Sequence, residues 1–351
     1  MTEKEVIIVM SYPSDKKRQS LLRIVFALVL ITGLLAGSAA CQKQEKPAGP
    51  REKAVIGIPP AIVSLPVFIA QEKGYFSDEG LDATIKYYPS GKKAIEGMFA
   101  GEADIATAAG APIMSSSFLR DDFVVFATIA YSYDNSKVLG RKDRGVITPS
   151  DLQGKKIGTV AGTGSHFFAH VYLAEHRIDL SAVTIVDVAP TDLPGALKDG
   201  RVDALAVWEP IAYQAKKALP DKVIRLPRSE LYRETFNLTV MNSFAKAHPE
   251  TLPKILKAVD RAITYLRQNK KESIAVATKV LKLDEDWLVS VWDDFVFGLS
   301  LEHALLIALE DEARWAIKNR FTDKTKVPNY LGYVYLDALK AVKPEAVTII
   351  K

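Results

Sequence analysis

The 351-residue chain has one cysteine, Cys41, and five histidines. A single thiol excludes an internal disulfide framework and any metal site built on several cysteines. His166 and His170 stand four apart, a spacing that puts both on one helical face. No acidic or thiol third ligand accompanies them, so the pattern assigns no metal. Charge of one sign is also missing: the formal net charge is +4, and residues 1–40 hold five Lys/Arg against three acids. The remaining 41 basic and 39 acidic residues form a nearly neutral body without basic runs interleaved with aromatics, which excludes a nucleic-acid footprint. No Lys-Ser/Thr follows a glycine loop as in a P-loop, and Phe167 stands where a dinucleotide fingerprint needs its third glycine. No cofactor is implied. No Ser/His/Asp set or paired carboxylates in a catalytic context appear either, so an enzyme is not the expected reading.

What is present begins with "KKRQSLLRIVFALVLITGLLAGSAAC", a basic region, an uncharged apolar run from Ile24 and small residues up to Cys41. This is the layout of an export signal over residues 1–40. Cys41 sits where a bacterial lipoprotein is cleaved and lipidated. Ala39 and Ala40 fit that pattern, whereas Ser38 replaces its usual leucine. The alternative is an uncleaved anchor over Ile24–Ala40, at the lower limit of a span. Either way the body is expected outside the cytoplasm, tethered to the membrane. Residues 41–53, polar and Pro/Gly-containing, read as a flexible tether.

From Ala54, short β-like runs alternate with amphipathic segments of about ten residues, which predicts an α/β fold built from βαβ units on mostly parallel sheets. The alternation restarts after Asp151, predicting two similar lobes. Beyond Ser243, apolar residues recur at three- and four-residue spacing in "LPKILKAVDRAITYLRQ", "WLVSVWDDFVFGL" and "ALLIALEDEARWAIKNR", predicting an almost wholly helical extension. "MFAGEADIATA" and "ALKDGRVDALAVW" form an internal echo: a helix end, a glycine (Gly101, Gly200) suited to a left-handed C-cap, then an aspartate (Asp104, Asp203) opening a small-residue strand.

In "GKKIGTVAGTGSHFFAH", a strand delivers Gly162, Thr163 and Gly164 into a tight turn, with Ser165 placed as the helix N-cap. Free N–H groups and a helix dipole there suit a small anion. An ordinary capped helix start is the competing reading.

Taken in order, "IGIPPAIVSLPVFIAQEKGYFSDEGLDATIKYYPSG", "GEADIATAAGAP", "DLQGKKIGTVAGTGSHFFAHVYLAEH" and "GRVDALAVWEPIAY" resemble the extracytoplasmic substrate-binding proteins of ABC importers. The branch is the one that includes nitrate-, taurine-, alkanesulfonate- and thiamine-precursor-binding proteins. The resemblance implies a two-lobed, type II periplasmic-binding-protein-like fold, with residues 54–134 and 238–351 in the first lobe and 135–237 in the second. The crossings fall near Asp134–Lys137 and Phe236–Val240, and the lobes close on a ligand by hinge motion. Implied partners are a small-molecule ligand and the permease subunits of a transporter, with a lipid anchor on Cys41 at the cell envelope.

Carried over residue by residue, the resemblance places Ser64 and Leu65 in the first ligand loop and Ala109 and Gly110 after the first echo. Tyr131 falls at a strand end, Gly162, Thr163, Gly164, Ser165 and His166 in the glycine turn, and Trp208 and Glu209 in "WEP". Tyr131 or Trp208 would cover an apolar part of the ligand. Glu209 would pair with a ligand ammonium group or stand as a solvated loop residue. Lys137 and Arg141 are cation candidates by proximity to the hinge. The expected ligand is a small anion such as a sulfonate, taurine or nitrate. A thiamine-pyrimidine precursor, or an enzyme on the same fold, is the alternative.

Overall fold

The computed structural model describes residues 51–350. The signal segment, Cys41 and most of the tether lie outside the described residues. Among those described, no helix is long and apolar enough to cross a membrane.

The first sheet contains β1 (Glu52–Ile58), β2 (Leu81–Tyr87), β3 (Ile105–Ala109), β4 (Phe123–Ser132), β10 (Glu234–Met241) and β11 (Phe295–Ser300), in the order β11-β4-β10-β3-β1-β2. The second contains β5 (Ser136–Arg141), β6 (Lys156–Thr159), β7 (Thr184–Asp187), β8 (Ala204–Trp208) and β9 (Val223–Arg225), in the order β7-β6-β8-β5-β9. β1 opens at Glu52, two residues ahead of Ala54.

The sheets are mixed rather than mostly parallel. β1 pairs in parallel with β2 and β3, and β6 with β7 and β8, as right-handed βαβ units require. β10, which returns the chain to the first sheet, runs antiparallel to both its neighbours β3 and β4, and β5, which enters the second sheet, runs antiparallel to β8 and β9. The first passage between the sheets occupies Tyr133–Asn135. The return precedes Glu234, so residues 234–237, expected in the second lobe, are strand of the first sheet.

The echo is structural. Gly101 and Gly200 both take φ near +73° after a helix end, a left-handed conformation that glycine adopts without a Cβ penalty. Asp104 then accepts the Val55 N–H at 2.7 Å, and Asp203 accepts the Lys156 N–H at 2.9 Å. Each carboxylate thus pins the parallel strand beside its own: Asp104, ahead of β3, holds β1, and Asp203, ahead of β8, holds β6. In the second sheet, neighbours alternate between two apolar layers: Val138, Ala204 and Ala206 face one, Leu139, Leu205 and Val207 the other. This two-residue period marks a sheet covered by helices on both faces.

The predicted helical extension is mostly realised. The helix Thr251–Gln268 buries Leu252, Ile255, Leu256, Val259, Ala262, Ile263 and Leu266 at helical spacing against the first lobe. "WLVSVWDDFVFGL" is a correction: its helix ends at Val291, and Phe295–Ser300 forms β11 on the edge of the first sheet. Phe295, Phe297 and Leu299 alternate inward there, a period of two embedded in a segment whose composition also fits a helix.

Candidate functional site

Four helices that follow strands start at one cleft. They are α1 (Leu65–Glu72) after β1, α3 (Gly91–Phe99) after β2, α4 (Gly110–Ser117) after β3 and α5 (Gly164–Glu175) after β6; α2 (Tyr75–Asp78) is a single turn between α1 and β2. The carboxyl ends of parallel strands are where an open α/β sheet offers a ligand crevice. Here a cleft of about 550 Å³, counted to its open mouth, is walled by both lobes. Ser64, Ser90, Gly91, Lys92, Thr107 and Ala109 line it from the first lobe, and Thr163, Gly164 and Trp208 from the second, with Asn135, Glu234 and Phe236 at the crossings.

The helix starts supply partial positive charge and unpaired N–H groups. A second feature is independent of them: the hydroxyls of Ser64 and Thr107 are buried and have no hydrogen-bond partner. A buried hydroxyl left unpaired is costly, which makes these two the natural hydrogen bonders of a bound group. Ser90 caps α3 by accepting the Lys93 N–H at 3.2 Å. The cation at the cleft is Lys92, whose Nζ donates to the Ala161 carbonyl of the opposite lobe at 3.1 Å.

Of the residues expected from sequence, Ser64, Ala109, Thr163, Gly164 and Trp208 line the cleft. Leu65 and Gly110 contribute the first backbone positions of α1 and α4; the Leu65 side chain is core. Gly162 has φ +72° and gives its N–H to His166 Nδ1 at 3.3 Å. Ser165 is not the N-cap. That place belongs to Thr163, whose hydroxyl donates to the Val160 carbonyl, while the Ser165 hydroxyl pairs with Ser136 at 3.0 Å between α5 and β5. His166 turns away into an aromatic box with His170, Trp315 and Phe321, where burial pushes both imidazoles down to about 4.

Tyr131 stands outside the cleft, its ring covered by the Arg233 guanidinium at 3.8 Å. Glu209 fits neither expected role: it is buried, accepts the Tyr213 N–H at 3.1 Å and lies 3.5 Å from Lys137. Lys137 and Arg141 are not ligand cations either. Lys137 is enclosed by Asp134, Glu209 and Asp294, and Arg141 is held by Asp143 and the Leu197 carbonyl. Sequence reasoning missed Ser90, Lys92, Thr107, Asn135, Glu234 and Phe236. Pro-Ser ahead of an amphipathic run was a legible signal for Ser90. None marked Glu234, seventy positions beyond the glycine turn.

The family model described as NMT1/THI5 like matches residues 62–273. The chain belongs to this NMT1/THI5-like family. The family match spans both lobes and every helix start at the cleft. A putative aliphatic sulfonates-binding protein of Bacillus subtilis is 27% identical over 277 residues, covering 76% of this chain and 80% of that protein. The alkanesulfonate-binding protein SsuA from Xanthomonas axonopodis pv. citri, solved bound to MOPS, superposes with a TM-score of 0.71 at 18% identity, over 82% of this chain and all of that one. The periplasmic aliphatic sulphonate-binding protein SsuA of Escherichia coli gives a TM-score of 0.70 at 17% identity, covering 83% of this chain and 98% of that one. These NMT1/THI5-like likenesses establish the two-lobed binding-protein fold.

Ser64→Ala tests the cleft directly. Because the hydroxyl has no protein partner, stability should stay within about 1 kcal/mol of wild type. A lost hydrogen bond to a charged ligand, worth about 1.5–3 kcal/mol, should weaken anion binding roughly ten- to hundredfold. Calorimetric titration alongside urea unfolding separates the two, and unchanged affinity would remove Ser64 from the site.

Proposed function

We propose that the protein is the solute-binding component of an ABC uptake system and captures a small anion between its lobes, without chemistry. The observation that carries this reading is the convergence of four helix N-termini, two unpartnered buried hydroxyls and the Lys92 ammonium on one cleft. Such a set holds an anion through N–H and O–H donors with a single formal cation at the rim. Trp208 and Phe236 add apolar walls, which favour an organic anion with a short carbon chain, such as an alkanesulfonate, over a bare inorganic ion.

The proposed lobes are residues 52–132 with 234–350, and 136–225. They are joined by Tyr133–Asn135 and residues 226–233, whose flexing would open the cleft. Lys92 bonded to Ala161 is a contact that closure makes and opening breaks. Cys41 is the proposed lipid attachment, holding the protein at the envelope beside permease subunits.

A thermal-shift screen with ethanesulfonate, butanesulfonate, taurine, nitrate, bicarbonate and an aminopyrimidine tests the reading. A ligand at 100 times its Kd adds about 2.7 kcal/mol, a shift of a few degrees. Stabilisation by sulfonates or another small anion is expected. A response to the aminopyrimidine alone would replace the anion with a neutral ring stacked on Trp208.

A further inference from the structure

Glu234 brings an acid into a cleft otherwise built for an anion. It is the first residue of β10, it lines the cavity, and it is 4% exposed. Its Oε2 accepts from Asn135 Nδ2 at 2.9 Å and from the Ser136 hydroxyl at 3.1 Å. Oε1 accepts from neither and lies against the start of α5, so close that a Cβ on Gly164 would fall 2.2 Å from it.

Among the described residues no cation forms an ion pair with Glu234. Arg233, next in the chain, pairs with Glu302. Lys92, across the cleft, donates to the Ala161 carbonyl and forms no ion pair with Glu234, which leaves its charge for the anion. Lys137 and Arg225, beyond Asn135, serve Asp134, and Lys137 also serves Glu209 and Asp294. His166, on the α5 side, faces the aromatic box. A second buried acid stands on the far side of Tyr232: Glu312, on the helix α12 (His303–Lys318), takes the Tyr232 hydroxyl on Oε1 at 3.0 Å and leaves Oε2 without a partner. The Tyr232 hydroxyl also abuts Gly164. Two carboxylates buried without a cation would repel each other and any incoming anion.

Resting on the anion-capture reading, we propose that Glu234 is a specificity-determining acid: Oε1 carries a proton and donates it in a hydrogen bond to an oxygen of the bound anion. Burial pushes the Glu234 carboxyl up to about 7 and that of Glu312 up to about 8, consistent with an acid that is available as a donor near neutral pH. When Glu234 is ionised, binding must take one proton from solvent, giving one neutral carboxyl and one bound anion. When it is already protonated, no proton is taken up. An anion at the helix starts stabilises the protonated form, so affinity is greatest below the free group's titration and falls above it, by up to tenfold per pH unit.

The test is titration calorimetry with ethanesulfonate, whose own charge is constant between pH 5 and 9, in paired buffers of different ionisation enthalpy. Wild type should take up almost no proton at pH 5 and close to one at pH 8.5, with affinity falling in step. Glu234→Gln, which keeps a donor but cannot titrate, should lose both the uptake and the pH dependence. Glu312→Gln should keep the uptake. Binding of ethanesulfonate without proton uptake in wild type, uptake that survives in Glu234→Gln, or affinity that rises with pH would overturn the proposal while leaving anion capture intact. Failure of every anion to bind at any pH would overturn both.

Discussion

Gly164→Val is expected to abolish anion capture and to destabilise the fold by about 1–3 kcal/mol. The first side-chain carbon would lie 2.2 Å from Glu234 Oε1, 3.0 Å from its Cδ and 3.1 Å from the Tyr232 hydroxyl, all belonging to buried groups. Relief requires moving the start of α5 away from β10, which opens the cleft at the place where the two lobes approach. From sequence alone, this substitution would be expected to weaken binding in a protein that stays folded; the packing around Glu234 adds a loss of stability. Gly195 offers a control inside a helix, because an added Cβ meets nothing within 4 Å. Gly195→Ala should be neutral or stabilising by about 0.5–1 kcal/mol. Urea unfolding and ethanesulfonate titration of both variants decide the matter. Normal binding by Gly164→Val would show that the cleft is not the ligand site.

Lys137→Met should have the larger effect on stability, a loss of about 3–5 kcal/mol, the usual result of removing one partner from a buried ionic cluster. Lys137 is 6% exposed and lies 3.3 Å from Asp134, 3.5 Å from Glu209 and 3.7 Å from Asp294. These acids come from the first passage, the end of β8 and the entry to β11, so the ammonium ties both sheets to the crossing. Arg225 also pairs with Asp134, but it forms no ion pair with the other two carboxylates. Burial pushes the carboxyls of Glu209 and Asp294 up, against the attraction of Lys137. Acids whose carboxyl titrates higher in the folded than in the unfolded chain bind more protons when folded, so their contribution is favourable at low pH and is lost as pH rises. Without Lys137 that rise grows. The deficit of Lys137→Met relative to wild type should therefore be greater at pH 8 than at pH 5. Equal deficits at both pH values would mean the lysine acts through packing alone.

Much of the architecture was legible because it is local. Alternation of short apolar runs with amphipathic segments predicted the βαβ units, and the Gly-x-x-Asp echo predicted a duplicated lobe whose aspartates prove to pin equivalent strands. The family resemblance pointed to the loops at Leu65 and Gly110, and a helix after the glycine turn was readable from its own signals, although its N-cap is Thr163 rather than Ser165. Where two periods compete in one segment, as at Phe295–Ser300, the edge of the first sheet decided for a strand. The misplaced return crossing has a similar cause, since residues 234–241 are apolar enough for a strand but carry no mark of which sheet they join.

The site divides along the same line. Thr163 and Gly164 sit in a turn that the sequence marks, whereas Ser64 and Trp208 were implied by the family resemblance. Glu312 left a faint trace as an acid within the spacing of Leu305, Leu309 and Ala316, which are buried on one face of α12. The assignments of Lys92 to the cleft and of Lys137 to a structural cluster were decided only by the tertiary structure, as was the exclusion of Tyr131. The sequence by itself determined which segments become strands and helices and where chain turns expose their N–H groups. Only the folded chain decided which charges meet, because a carboxylate's role depends on its neighbours in space and on its removal from water, and neither is encoded within reach of the residue along the chain.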